Sequence, residues 1–121
     1  MEVKNFPCTA AGVAEAQSFL EMLCDEPRPA IILDEIVSNI VRYSGAGSFR
    51  IGVERGGDGL LMEFTDDGIE FDPTRDAAVP DVSAPLEDRV VGGLGTFMVK
   101  KMSKSVVYRR ENGKNILTVK M

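Results

Sequence analysis

Glu35 and Asn39 stand four residues apart in segment 31–43, so on a helix a carboxylate and a carboxamide share one face a turn apart. Arg42 continues that face at i+7. An amide oxygen can ligate a hard cation such as Mg2+, which keeps several waters and leans on phosphate oxygens. A carboxylate beside it can orient or deprotonate a nucleophile. The same two residues also suit the wet edge of an amphipathic helix whose core stripe is Leu33, Ile36, Val37 and Ile40. Two more clusters lie downstream. Asp66-Asp67-Gly68-Ile69-Glu70-Phe71-Asp72-Pro73 follows an alternating apolar run and sits at a strand end. Gly92-Gly93-Leu94-Gly95 opens an apolar-periodic segment, where backbone N–H groups at a helix N-terminus can meet phosphate. Taken singly, an Asp-Gly pair is also a plain turn, and a glycine before a helix also merely ends a loop.

The elements that must position these residues follow from periodicity. Residues 2–9 read as an edge strand, with Val3, Phe6 and Cys8 among polar neighbours. Residues 10–24 read as a helix with Val13, Phe19 or Leu20, and Leu23 inward. Pro27 and Pro29 stop it, and Pro29 suits the first turn of the next helix. Gly45 and Gly47 end that second helix. Phe49, Ile51 and Val53, then Leu60, Met62 and Phe64, alternate as a hairpin around a glycine-rich turn at 55–59. Residues 74–91 carry Pro80 and Pro85 with little periodicity and read as a lid. A helix through Met102 follows, with Leu94, Phe97, Met98 and Met102 inward. Strands at 105–110 and 115–121 close the chain around Asn112-Gly113, a tight-turn signal. The order β-α-α-β-β-lid-α-β-β implies a two-layer α/β (α+β) sandwich, with helices on one face of a mixed, mostly antiparallel sheet.

Composition narrows the function. A chain of 121 residues with 44% hydrophobic and 27% charged residues reads as one globular domain, 1–121, without internal repeats. A net charge of −5 argues against non-specific nucleic-acid binding, which needs cations to neutralise phosphates. It leaves nucleotides open, because their phosphates are met locally by Mg2+ and backbone N–H groups. Cys8 and Cys24, with no long apolar run or secretory leader, read as reduced thiols of a cytoplasmic protein with no membrane span. The chain has no histidine. That removes Ser-His-Asp and Cys-His catalysis, the usual zinc sites and any phospho-accepting histidine of its own.

In this order and spacing the three clusters resemble the GHKL-type ATPases, the superfamily with the Bergerat nucleotide fold. Leu33-Asp34-Glu35-Ile36-Val37-Ser38-Asn39 looks like its N box, Asp66-x-Gly68 its G1 box and Gly93-x-Gly95 its G2 box. Within it, the small size, Asp67-Gly68-x-x-Phe71-Asp72-Pro73, and the glycines followed by Thr96-Phe97-Met98-Val99-Lys100-Lys101-Met102 are similar to the anti-sigma-factor serine/threonine kinases (RsbW-type). Residues 108–118 continue that resemblance, which covers nearly the whole chain.

The resemblance implies an ATP site with Mg2+. Asp66 would accept from the adenine amine, with Gly68 letting the backbone pass close to the base. Asn39 would ligate Mg2+. Gly93, Leu94 and Gly95, with Thr96 next to them, would meet phosphate. Glu35 would be the general base toward a serine or threonine hydroxyl. Arg89 would neutralise phosphate or meet a partner, unless it is a solvated surface arginine. Glu70 departs from the small residue or proline that many members carry there. The threonine often found in the last strands has Asn115 as its nearest counterpart. The implied function is a bacterial partner-switching regulator. It would phosphorylate an antagonist protein and alternately hold a sigma factor or other client, and a homodimer is implied as well. The alternative is a nucleotide-gated adaptor that binds ATP and transfers little or no phosphate.

Overall fold

A threonine ahead of a helix can accept from the unpaired N–H groups of the first turn, and Thr9 does so: its Oγ1 takes the Gly12 N–H at 3.0 Å. The computed structural model describes residues 1–57, 59–73 and 99–121. In it α1 (Ala10–Leu23) buries Gly12, Ala16 and Leu20, with Val13, Phe19 and Leu23 only partly covered. The expected inward face is therefore rotated. The cause is Gly12, where a Cβ would run into the Pro7 carbonyl oxygen, so the helix start lies tight against the end of the first strand.

Pro27 begins α2 (Pro27–Tyr43), where its missing N–H costs nothing. Leu33, Ile36 and Val37 are buried as their spacing requires, Ile40 is half-buried, and Ile32 joins the core. The helices are tied by Gln17 Nε2 donating to Asp34 Oδ1 at 2.8 Å. The Arg55 guanidinium donates to the Leu23 carbonyl at 3.0 Å, satisfying an end group of α1. Gly45, with φ of 70°, takes the chain out of α2 past the cap residue Ser44.

Five strands form one sheet in the order β1-β2-β3-β5-β4: β1 (Glu2–Pro7), β2 (Ser48–Gly56), β3 (Gly59–Asp66), β4 (Ser105–Glu111) and β5 (Lys114–Lys120). All four pairings are antiparallel, the strict form of the mostly antiparallel sheet expected. The register sets Phe6 beside Phe49, Ile51 beside Phe64, and Met62 beside Val119, so the middle of one face is apolar. Both α1 and α2 pack on that face. Removing each of its large side chains from water contributes about 1.5–3 kcal/mol. The turn between β4 and β5 has φ of 52° at Asn112 and 75° at Gly113, the conformation for which Asn-Gly is selected. Cys8 and Cys24 are both free thiols. Among the described residues no helix is long and apolar enough to cross a membrane.

Candidate functional site

Among the described residues, α1 and α2 leave part of the apolar face of the sheet uncovered. Where α2 ends, β3 turns into the acidic segment 66–73, and between them opens a cavity of about 670 Å³, counting the solvent at its mouth. Its walls are apolar: Ile36 and Ile40 of α2, Phe64, Val106, Leu117 and Phe71. Polar groups enter at separate places, Asn39, Tyr43 and Ser44 from α2 and its cap, Asp66 from the end of β3, Lys100, and Tyr108 and Asn115 from the closing hairpin. A mostly apolar slot with a few fixed polar groups suits a flat aromatic ligand with a hydrogen-bonding edge.

Asp66 is 7% exposed, and a carboxylate so buried needs donors. Both that it has fall on Oδ1: the Gly68 N–H at 2.9 Å and Asn115 Nδ2 at 3.1 Å. Among the described residues Oδ2 has no partner, so Asp66 keeps an acceptor for a ligand in the cavity it lines. Gly68 lies where segment 66–73 crosses the end of α2. A Cβ there would meet the Ser44 carbonyl oxygen, and the Ile69 N–H donates to that same oxygen at 2.9 Å. The close approach that the structure shows at Gly68 is thus to the helix cap.

On α2, Asn39 Nδ2 donates to Glu35 Oε1 at 3.3 Å, the i,i+4 contact expected of that spacing. Both side chains are half-buried. With its nitrogen turned to Glu35, the Asn39 amide has no partner for Oδ1 among the described residues and can offer it to a cation. Asn39 lines the cavity, and Glu35 stands one turn back along the helix. Among the described residues no three His, Cys, Asp or Glu side chains gather as a metal cage. A cation at Asn39 would therefore take its remaining ligands from phosphate and water, as Mg2+ does.

Asn115 is a hub. Its Nδ2 donates to the Ile69 carbonyl at 2.7 Å as well as to Asp66. Its Oδ1 accepts from the Tyr108 hydroxyl at 2.6 Å, from Arg110 at 3.1 Å and from the Phe71 N–H at 3.3 Å. Arg110 also donates to the Gly68 carbonyl at 2.9 Å. Burial pushes the Tyr108 phenol up, the Glu70 and Asp72 carboxylates add to this, and Arg110 and the Phe71 N–H oppose it. It is accordingly a neutral O–H donor at neutral pH. Tyr108 and Arg110 had no role assigned from sequence. Their signal was a phenol and a guanidinium at alternate positions on the inward face of β4, with Arg110 opposite Asn115.

Asn39, Asp66 and Asn115 are brought together at one cavity, with Gly68 directly behind it and Glu35 bonded to Asn39. Arg89, Gly93, Leu94, Gly95 and Thr96, the lid at 74–91, and all but the last residues of the helix after it lie outside the described residues.

The sequence from residue 7 to 121 matches the family model described as "Histidine kinase-like ATPase domain". The chain belongs to that family. No curated protein matches it. Among solved structures, the Acinetobacter baumannii histidine kinase AdeS is similar, with a TM-score of 0.59 and 19% identity over 98% of this chain. At that identity the likeness speaks to fold alone, and this chain spans 66% of the AdeS chain. As a histidine kinase-like ATPase domain of the GHKL type, it is an ATP-binding domain. Domains of this family typically bind their nucleotide with Mg2+.

Proposed function

We propose that this histidine kinase-like ATPase domain works as a cytoplasmic partner-switching regulator. It binds ATP with Mg2+, phosphorylates an antagonist protein on serine or threonine, and alternately sequesters a sigma factor or another client. The observation that carries the nucleotide reading is the single open oxygen of Asp66 at the end of an apolar slot, an acceptor for the adenine amine. Asn39 at the other side of the slot offers its amide oxygen to Mg2+, which would supply charge neutralisation for the phosphates. Backbone N–H groups at Gly93, Leu94 and Gly95, with Thr96 and Arg89, serve the phosphates in this reading.

Glu35 is the general base. It takes the proton of the incoming hydroxyl, whose oxygen attacks the γ-phosphorus; the bond to the β-phosphate oxygen breaks and ADP leaves with the electron pair. Residues 1–121 carry no histidine, so a phospho-accepting histidine would lie outside them. The test is ATP binding with and without Mg2+, followed by radiolabel transfer to candidate antagonists. Acid-stable label on serine or threonine is the expected outcome. Acid-labile label would assign the transfer to a histidine of the partner, and Mg2+-dependent binding without transfer would make the chain a nucleotide-gated adaptor.

A further inference from the structure

A carboxamide presents two N–H donors at one end and two lone pairs at the other, and at ordinary sites it can turn over. Asn115 cannot. Asp66 Oδ1 and the Ile69 carbonyl only accept, so they require its nitrogen. Arg110 and the Phe71 N–H only donate, so they require its oxygen. Turning the amide over would set oxygen against a carboxylate and nitrogen against a guanidinium, at a residue 7% exposed where little water can compensate. The Tyr108 hydroxyl, at 2.6 Å, adds the shortest of these bonds.

The consequence reaches the cavity through Asp66. Because Asn115 Nδ2 and the Gly68 N–H both hold Oδ1, the carboxylate cannot rotate freely, and it offers the ligand one fixed acceptor. A purine with an amino group at position 6 donates to that acceptor. A purine with a carbonyl there meets it oxygen to oxygen. Arg110 fastens the arrangement twice, on Asn115 and on the Gly68 carbonyl, and its side chain is outside the cavity wall.

We propose that Arg110, with Tyr108, is a positioning residue for base selection: it pins the Asn115 amide, which holds Asp66 as a one-oxygen acceptor for a 6-amino purine and against a 6-oxo purine. This rests on the reading of the cavity as the ATP site. β4 is an edge strand and Arg110 is exposed, so its replacement leaves the apolar core intact.

The experiment is isothermal titration of the full chain with ATP and with inosine triphosphate, both with Mg2+; the two differ at position 6 and in the N1 proton that goes with the 6-oxo group. The wild type is expected to prefer ATP by about a hundredfold or more. Arg110→Ala should weaken ATP about tenfold while leaving inosine triphosphate nearly unchanged, so that the ratio collapses. Tyr108→Phe should shift the ratio in the same direction by a smaller factor, and Arg110→Lys, which keeps a donor, should recover most of it. Equal losses for both nucleotides, or an unchanged ratio in Arg110→Ala, would overturn the proposal and leave the ATP site standing. Wild-type binding of ATP with no preference over inosine triphosphate would do the same. No ATP binding by the wild type would overturn both readings.

Discussion

Gly68→Ala isolates the close contact on which the floor of the cavity depends. The added Cβ would lie 2.6 Å from the Ser44 Cβ and 2.8 Å from its carbonyl carbon, and nearer still to the carbonyl oxygen. Ordinary contact needs roughly 3.5 Å, so one side must retreat by about an ångström. Ser44 is poorly placed to retreat. Its N–H donates to Ile40 at 3.1 Å, its hydroxyl accepts from Ala46 at 3.0 Å, and its carbonyl accepts from Ile69 at 2.9 Å. Segment 66–73 must lift instead, losing the Ile69 bond at about 1 kcal/mol and straining the packing by about 1–3 kcal/mol. The sum, about 2–4 kcal/mol, lowers Tm by roughly 8–16 °C in a domain of this size. Because the Gly68 N–H holds Asp66, nucleotide affinity should fall as well. Gly47→Ala is the control, since a Cβ there meets nothing within 4 Å; it should change stability by less than about 0.5 kcal/mol. Urea titration of both variants gives the comparison. A Gly68→Ala protein as stable as Gly47→Ala would refute the reasoning from close approach.

Glu35→Ala should abolish the proposed phosphate transfer while leaving ATP affinity near wild type; transfer at the wild-type rate would remove Glu35 as base. Asp66→Asn should weaken ATP binding by about tenfold or more, since a charged acceptor is replaced by an amide that can present a donor to the adenine amine. Titration calorimetry checks it, and undiminished affinity would count against the assignment. The Cys8 thiol is pushed up by burial first and then by the Asp66 and Asp67 carboxylates, so it should alkylate more slowly at pH 8 than a free cysteine. Asp67→Asn should speed that reaction, and a rate insensitive to Asp67 would deny the charge its part. Tyr108 titrates above its ordinary value of 10.0, so the stability it contributes is complete below that pH and is lost as pH climbs through the raised folded value. Chemical denaturation at pH 9 and 11 should show a larger loss in wild type than in Tyr108→Phe.

What was legible in the sequence was whatever a short window could carry. Leu33, Ile36 and Val37 recur at helical spacing, and α2 buries them; Asn112-Gly113 demands two positive φ values, and the turn has them. Glu35 and Asn39 likewise touch because four residues make one turn. Where the reading slipped, the deciding contact was distant. The inward face of α1 was assigned by size, to Val13, Phe19 or Leu20, and Leu23; Leu20 is buried and the others pack partly on the core, but Gly12 and Ala16 are buried as well, and Gly12 is needed because the Pro7 carbonyl lies underneath. Asn115 bonds Asp66 across 49 positions of sequence, and the pairing of β3 with β5 that makes them neighbours has no local signature. Asp66 is therefore recognisable as a chemical group from its own surroundings, but its orientation is not, because every group that orients it other than the Gly68 N–H arrives from the closing hairpin. A site whose reactive residues are local and whose supports are distant can keep its motif while its supports change. In this chain the distant supports, Asn115, Tyr108 and Arg110, are where its selectivity would differ from that of a domain with the same motif and other supports.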